Sequence, residues 1–132
     1  MPVGYDTPGR PARHTAGMSM ADKIKSNAQA HVQPGEQIQG AFAGQRTVRN
    51  KLGDGGYRCV VATDRRFLVF QSGSFSQTTL KDLISEEPRA VRLGEPSGIW
   101  HTVTLGEETM KVNRRYFDQI RAIDAALTDS AT

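Results

Sequence analysis

The chain has 132 residues, a formal charge of +3, 37% hydrophobic residues and 23% charged residues, which is the size and balance of one globular domain with a single core. No run approaches the ~20 apolar residues of a spanning helix, and the opening MPVGYDTPGRPARHTAGM lacks the apolar region of a secretory signal, so a cytoplasmic protein is expected. The single cysteine, Cys59, excludes an internal disulfide and a multi-thiolate metal site, and the mild positive charge permits an anionic partner without demanding one.

Residues 1–18 are rich in Pro and Gly and offer little to bury, so they read as a disordered tail. Ser19–Val32 reads as a helix within the segment 19–33. Ser19 is its N-cap, Asp22 stands three residues on, and Met20, Ile24, Ala28 and Val32 form a narrow apolar stripe. Pro34-Gly35 stops it.

The period then changes from helical to alternating. A strand is expected over Glu36–Arg46, followed by a polar glycine-rich loop that includes Arg49, Lys51 and Gly53-Asp54-Gly55-Gly56. Tyr57–Thr63 and Phe67–Gln71 form a hairpin across Asp64-Arg65-Arg66, with Asp64 bonding the backbone two residues on. Weaker strands are expected over Ser74–Leu80, from Lys81 to Ile84 and over Ala90–Leu93, with Glu86-Glu87-Pro88 in a loop. Ile99–Leu105 and Thr109–Val112 make a second hairpin across Gly106-Glu107. Asn113 then caps a helix over Arg114–Leu127, whose apolar face carries Tyr116, Phe117, Ile120, Ile123 and Leu127. The order predicts a mainly β (α+β) domain: a barrel of about seven antiparallel strands, capped by its terminal helix.

The run from Cys59 to Phe70, CVVATDRRFLVF, resembles the apolar–Thr-Asp-Arg-Arg–apolar hairpin of bacterial pleckstrin-homology-like (PH-like) and GRAM-like domains. Pro34-Gly35-Glu36 before a strand and the Tyr116–Ile120 helix are similar to that family's entry and exit. The resemblance covers residues 34–128 and leaves 129–132 as a frayed end. It implies two nearly orthogonal antiparallel sheets capped by a helix. It implies no single activity, because such barrels bind phosphoinositides, peptides or protein domains.

The candidate chemistry is that of binding. Arg46, Arg49, Lys51 and Arg58 surround the first loop and are the candidate ligands for an anionic lipid or phosphorylated molecule, against the plainer reading of a solvated basic loop. Arg65 and Arg66 read as turn residues. Arg114 and Arg115 stand in the first turn of a helix, where cations are disfavoured. Asp118 compensates them, or they serve an interface.

Neither Val60-Val61-Ala62 nor Phe67–Phe70 alternates, so both strands are expected to be covered on both faces. The core covers one face. The Met20/Ile24/Ala28 helix or another subunit covers the other, and Val60, Ala62, Leu68 and Phe70 are the candidate interface. Cys59 reads as a buried apolar residue, and His101, in phase with Ile99, Val103 and Leu105, as a core histidine, with Trp100 on the opposite face. No phosphate-binding loop, dinucleotide fingerprint, nucleophile elbow or metalloprotease motif is present.

The expectation is therefore a non-enzymatic binding or scaffold module without cofactor or metal, contacting a protein partner or itself. Peripheral binding to anionic lipid is the alternative. Nucleic acid is not expected, because aromatics make up only 7% of the chain.

Overall fold

The computed structural model describes residues 19–46, 56–73 and 77–130. The chain runs α1 (Met20–Ala28), β1 (Ile38–Arg46), β2 (Tyr57–Thr63), β3 (Arg66–Gly73), β4 (Leu83–Pro88), β5 (Trp100–Leu105), β6 (Glu108–Asn113) and α2 (Phe117–Ser130). A 3-10 turn, Gln29–His31, extends α1, and another, Arg114–Tyr116, leads into α2. The six strands form one antiparallel sheet in the order β4-β3-β2-β1-β6-β5, curled into a half-barrel. No helix among the described residues is long and apolar enough to cross a membrane.

Two expected strands are not formed. Residues 77–80 lie outside the strands and pass over Cys59, whose Sγ donates to the Gln77 carbonyl at 3.0 Å. Residues 74–76 lie outside the described part. Ala90–Leu93 lies outside the strands, with Ala90 in a turn, and the groups around it are held to other elements. The Arg89 guanidinium donates to Gln39 Oε1 at 2.7 and 2.9 Å and to the Ile123 carbonyl at 2.7 Å, over the ring of Phe67. Both oxygens of Asp124 accept from the Leu93 and Gly94 N–H groups at 2.9 Å. Glu86, Glu87 and Pro88, expected in a loop, lie instead in β4.

Each face of the sheet is covered by its own helix. Phe42, Val60, Ala62, Phe67 and Val69 share one face through the ladder register. α2 lies on this face. A Cβ at Gly40 would stand 2.6 Å from Ile123 Cγ1, so helix and strand backbones approach where no side chain fits between them. β6 pairs with β1 only from Gly44 to Arg46, and in the gap the Ala41 N–H donates to Gln119 Oε1 of α2 at 3.1 Å. Ala41, Ala43, Cys59, Val61, Leu68 and Phe70 share the other face, and α1 lies there. Ile24 and Ala28 are fully buried, and the His31 ring stands 4.9 Å from that of Phe70.

The hairpin parity differs from the expected one. The turn contains two residues, Asp64 and Arg65, with Arg66 already in β3, so Val60 pairs with Val69 and Val61 with Leu68. Val60 and Ala62 therefore face α2, whereas Leu68 and Phe70 face α1. All four are at most 2% exposed within the chain itself, so the candidate interface is not surface. The second cover of this hairpin comes from α1 of the same chain.

One buried acid ties these parts together. The Glu36 side chain is wholly buried. It accepts from Arg66 Nε at 2.8 Å and Nη2 at 2.9 Å, from Thr63 Oγ1 at 2.6 Å and from the Gln33 N–H at 2.8 Å. The Thr63 hydroxyl also accepts the Arg65 and Arg66 N–H groups, each at 3.1 Å. Thr63 thus closes the turn, the role expected of Asp64. Asp64 binds the residue before β1 instead: its Oδ1 accepts from the Gln37 N–H at 3.0 Å and its N–H donates to the Gln37 carbonyl at 2.9 Å.

The Arg66 hydrogen bonds hold the Glu36 carboxyl down at about 2 from an ordinary 4.5, against its burial. A depressed folded-state pKa contributes stability that is complete above about pH 4.5 and is lost as pH falls toward about 2. The contribution is on the order of 3 kcal/mol. Glu36→Gln leaves Arg66 without its buried partner and is expected to cost about 3–5 kcal/mol at neutral pH. Urea unfolding measured from pH 7 down to pH 2 checks both effects: the variant loses stability at pH 7 and shows a flatter acid limb than the parent.

Candidate functional site

The residues expected to hold an anion separate into two groups. Arg49 and Lys51 lie outside the described residues. Arg46 ends β1 and Arg58 is the second residue of β2, and the ladder brings both beside Glu108 at the start of β6. Arg46 Nε and Arg58 Nε each lie 3.2 Å from the same Glu108 Oε1. All three side chains are at least five-sixths buried. Cations removed from water need a carboxylate beside them, and here the chain supplies it. A phosphate reaching this pair would have to displace Glu108. Sequence reading missed Glu108 because only the β1–β6 register brings a hairpin-tip acid to the end of β1.

Cys59 and His101 lie on opposite faces of the sheet, so they form no thiol–imidazole pair. Cys59 faces α1, and burial pushes its thiol up to about 11. His101 faces α2. Its Nε2 lies 2.8 Å from the Leu93 carbonyl, and its ring meets Phe117 edge-on. A thiolate is the reactive form of cysteine, so the native protein is expected to resist alkylation by iodoacetamide at pH 8, with full labelling after unfolding in guanidinium.

Among the described residues, α1 covers its face of the sheet over β1 and β2, and no helix lies over the same face of β5 and β6. One row there runs Tyr57, Gln45, Lys111, Thr102 across four strands, with Asn113 beside Trp100 in the next. A groove of about 230 Å³ opens over these residues. Gln77 and Arg115 complete its lining beside Ala43 and Trp100.

Two large apolar residues remain in solvent here: Ile99 at 57% and Trp100 at 51% exposure. Ile99 was expected inward with His101, but it precedes the strand, where alternation no longer applies. Lys111, Arg114 and Arg115 are exposed beside them, and none is in an ion pair among the described residues. Arg115 is steadied by Asn113 Oδ1, which accepts from its N–H at 3.1 Å. The expected compensation by Asp118 is not formed. Sequence alone marked Trp100 and the Arg114-Arg115 pair separately; the β5–β6 register puts them together.

Comparison with family models, with curated proteins and with solved structures finds no match to this chain.

Glu108 also carries a prediction. Glu108→Gln leaves two largely buried arginines without their shared carboxylate and is expected to destabilise the fold by about 3 kcal/mol. Denaturant melts at pH 7 check it.

Proposed function

We propose that this chain is a non-enzymatic binding module built on a PH-like barrel, and that it docks a protein partner on the bare α1-side face of β5 and β6 around Trp100. The barrel reading is supported by a four-strand antiparallel meander, a final hairpin that joins it through β1, and a terminal helix across the concave side. The family's further strand would stand at the free edge of β5.

The observation that carries the docking surface is Trp100 itself. A half-exposed tryptophan stands beside an exposed isoleucine, and tryptophan and arginine dominate binding hot spots. Around it stand Lys111, Arg114 and Arg115, none in an ion pair among the described residues. At the first loop, by contrast, Arg46 and Arg58 already share a carboxylate. Among the described residues the groove thus joins apolar surface to exposed cations, a combination that supports a protein partner over the lipid alternative.

Trp100 is the only tryptophan, so its emission reports this surface alone. Peptides selected from a random display library against the folded chain are expected to shift that emission to the blue. Trp100→Ala should weaken them at least about tenfold, the loss of one hot-spot residue, with little change in melting temperature. Selected peptides that bind Trp100→Ala as tightly as the parent would defeat the reading.

A further inference from the structure

The two edges of the sheet are not alike. β4, one edge, carries Glu86, Glu87 and Pro88 and has a register irregularity against β3. Charges, proline and bulges are the devices that stop an edge from pairing. β5, the other edge, reads Trp-His-Thr-Val-Thr-Leu. It has no Lys, Arg, Asp, Glu or Pro, its register with β6 is unbroken, and it is rich in residues that favour strands.

The backbone direction on β5 follows from its hairpin. Gly106 and Glu107 form a two-residue turn closed by Leu105 and Glu108, and the Arg114 N–H donates to the Ile99 carbonyl at 2.8 Å. Residues 99, 101, 103 and 105 thus bond inward to β6. The N–H and C=O groups of Trp100, Thr102 and Thr104 point outward, and none has a hydrogen-bond partner among the described residues. Their side chains lie on the bare groove face, and all three residues are exposed.

The segment that leads from β4 to β5 does not fill this edge. Arg89, Leu93 and Gly94 are held to Gln39, Ile123, Asp124 and His101. The groove supplies the chemistry of an outside occupant: Lys111 stands one strand in from Thr102, and Arg115 lines the groove beside Trp100. A second copy of this chain would bring another set of these cations, whereas an acidic strand would neutralise them.

We infer that an extended acidic segment of a protein partner adds to the sheet as a seventh strand along β5, a deepening of the function proposed above. Its backbone pairs with Trp100, Thr102 and Thr104. Every second side chain is a carboxylate directed over the small Thr102 toward Lys111 and Arg115, and the alternate ones are β-branched.

The probe is a short capped peptide in which Glu alternates with Val, titrated into the full chain and followed by Trp100 emission and calorimetry. The peptide is expected to bind and its Lys–Val counterpart not to bind. Methylating one alternate set of its backbone nitrogens should weaken it at least about tenfold, while methylating the other set should be tolerated, because only every second N–H of an added strand faces β5. Thr102→Pro, which removes one outward donor at a position where an edge strand accepts proline, should weaken binding without unfolding the chain.

Equal tolerance of both methylated peptides would overturn strand addition while leaving the Trp100 docking surface standing. So would failure of the Glu–Val peptide when library-selected peptides still shift Trp100. If neither kind of peptide moves Trp100, both readings fall. A dimer in light scattering that the peptide cannot dissociate, or a Trp100 shift with phosphatidylserine vesicles and none with the peptide, would assign the edge to a second copy or to a lipid surface and also overturn the inference.

Discussion

A carboxylate with no exposed surface sits where the chain passes from helix to sheet, and the architecture is organised around it. Glu36 accepts from the guanidinium of Arg66, the hydroxyl of Thr63 and the N–H of Gln33. Those partners belong to the exit of α1, the end of β2 and the start of β3. A charge taken out of water is tolerated only when its lone pairs are filled, so the four donors must be present together. The first helix is thereby tied to the tip of the central hairpin. Arg66 is shared further with Glu86 at 2.8 Å, which extends the tie to β4.

From that tie follows the contrast between covered and bare sheet. With the exit of α1 pinned at the hairpin tip, Ile24 and Ala28 lie over β1 and β2, and their face of the hairpin is closed. α2 closes the other face, with Gly40 letting it approach and Gln119 filling the gap where β6 leaves β1. α1 is only nine residues long, about 13 Å at the usual helical rise, and cannot also reach β5 and β6. The groove at Trp100 is the part of the α1 face that this short helix leaves open. Among the described residues β5 is left as a free edge, with Leu93 and Gly94 of the segment before it bonded to α2.

Much of this was legible in the residues. The Ser19 cap, the apolar stripe of α1, the central hairpin, the last hairpin and the helix begun by Asn113 all carry local signals that tertiary contacts reinforce. What sequence misplaced depended on one residue or on distant partners. Reading the turn as Asp64-Arg65-Arg66 rather than Asp64-Arg65 reversed the facing of β3, because side chains alternate with a period of two. Ala90–Leu93 has a strand's composition, but Asp124 and Arg89, a side chain on α2 and the residue before the segment, decide its course. Glu36 and Glu108 carried no local sign of burial, since a carboxylate is buried only when cations arrive from elsewhere in the chain. For the candidate site, Trp100 and Arg114-Arg115 were visible as oddities, and only the sheet register made them neighbours.

Native-state amide hydrogen exchange on the full chain tests the central claim, that clamped helices close the sheet and leave one edge unpaired. Slowest exchange reports global opening, and fast exchange reports groups open in the native state. Amides of the second half of α1 are expected to exchange at the global rate together with those of β2, and those of Thr102 and Thr104 orders of magnitude faster than that of Val103 between them. An α1 that exchanges independently of β2, or Thr102 and Thr104 amides protected like Val103 in the isolated chain, would contradict the claim.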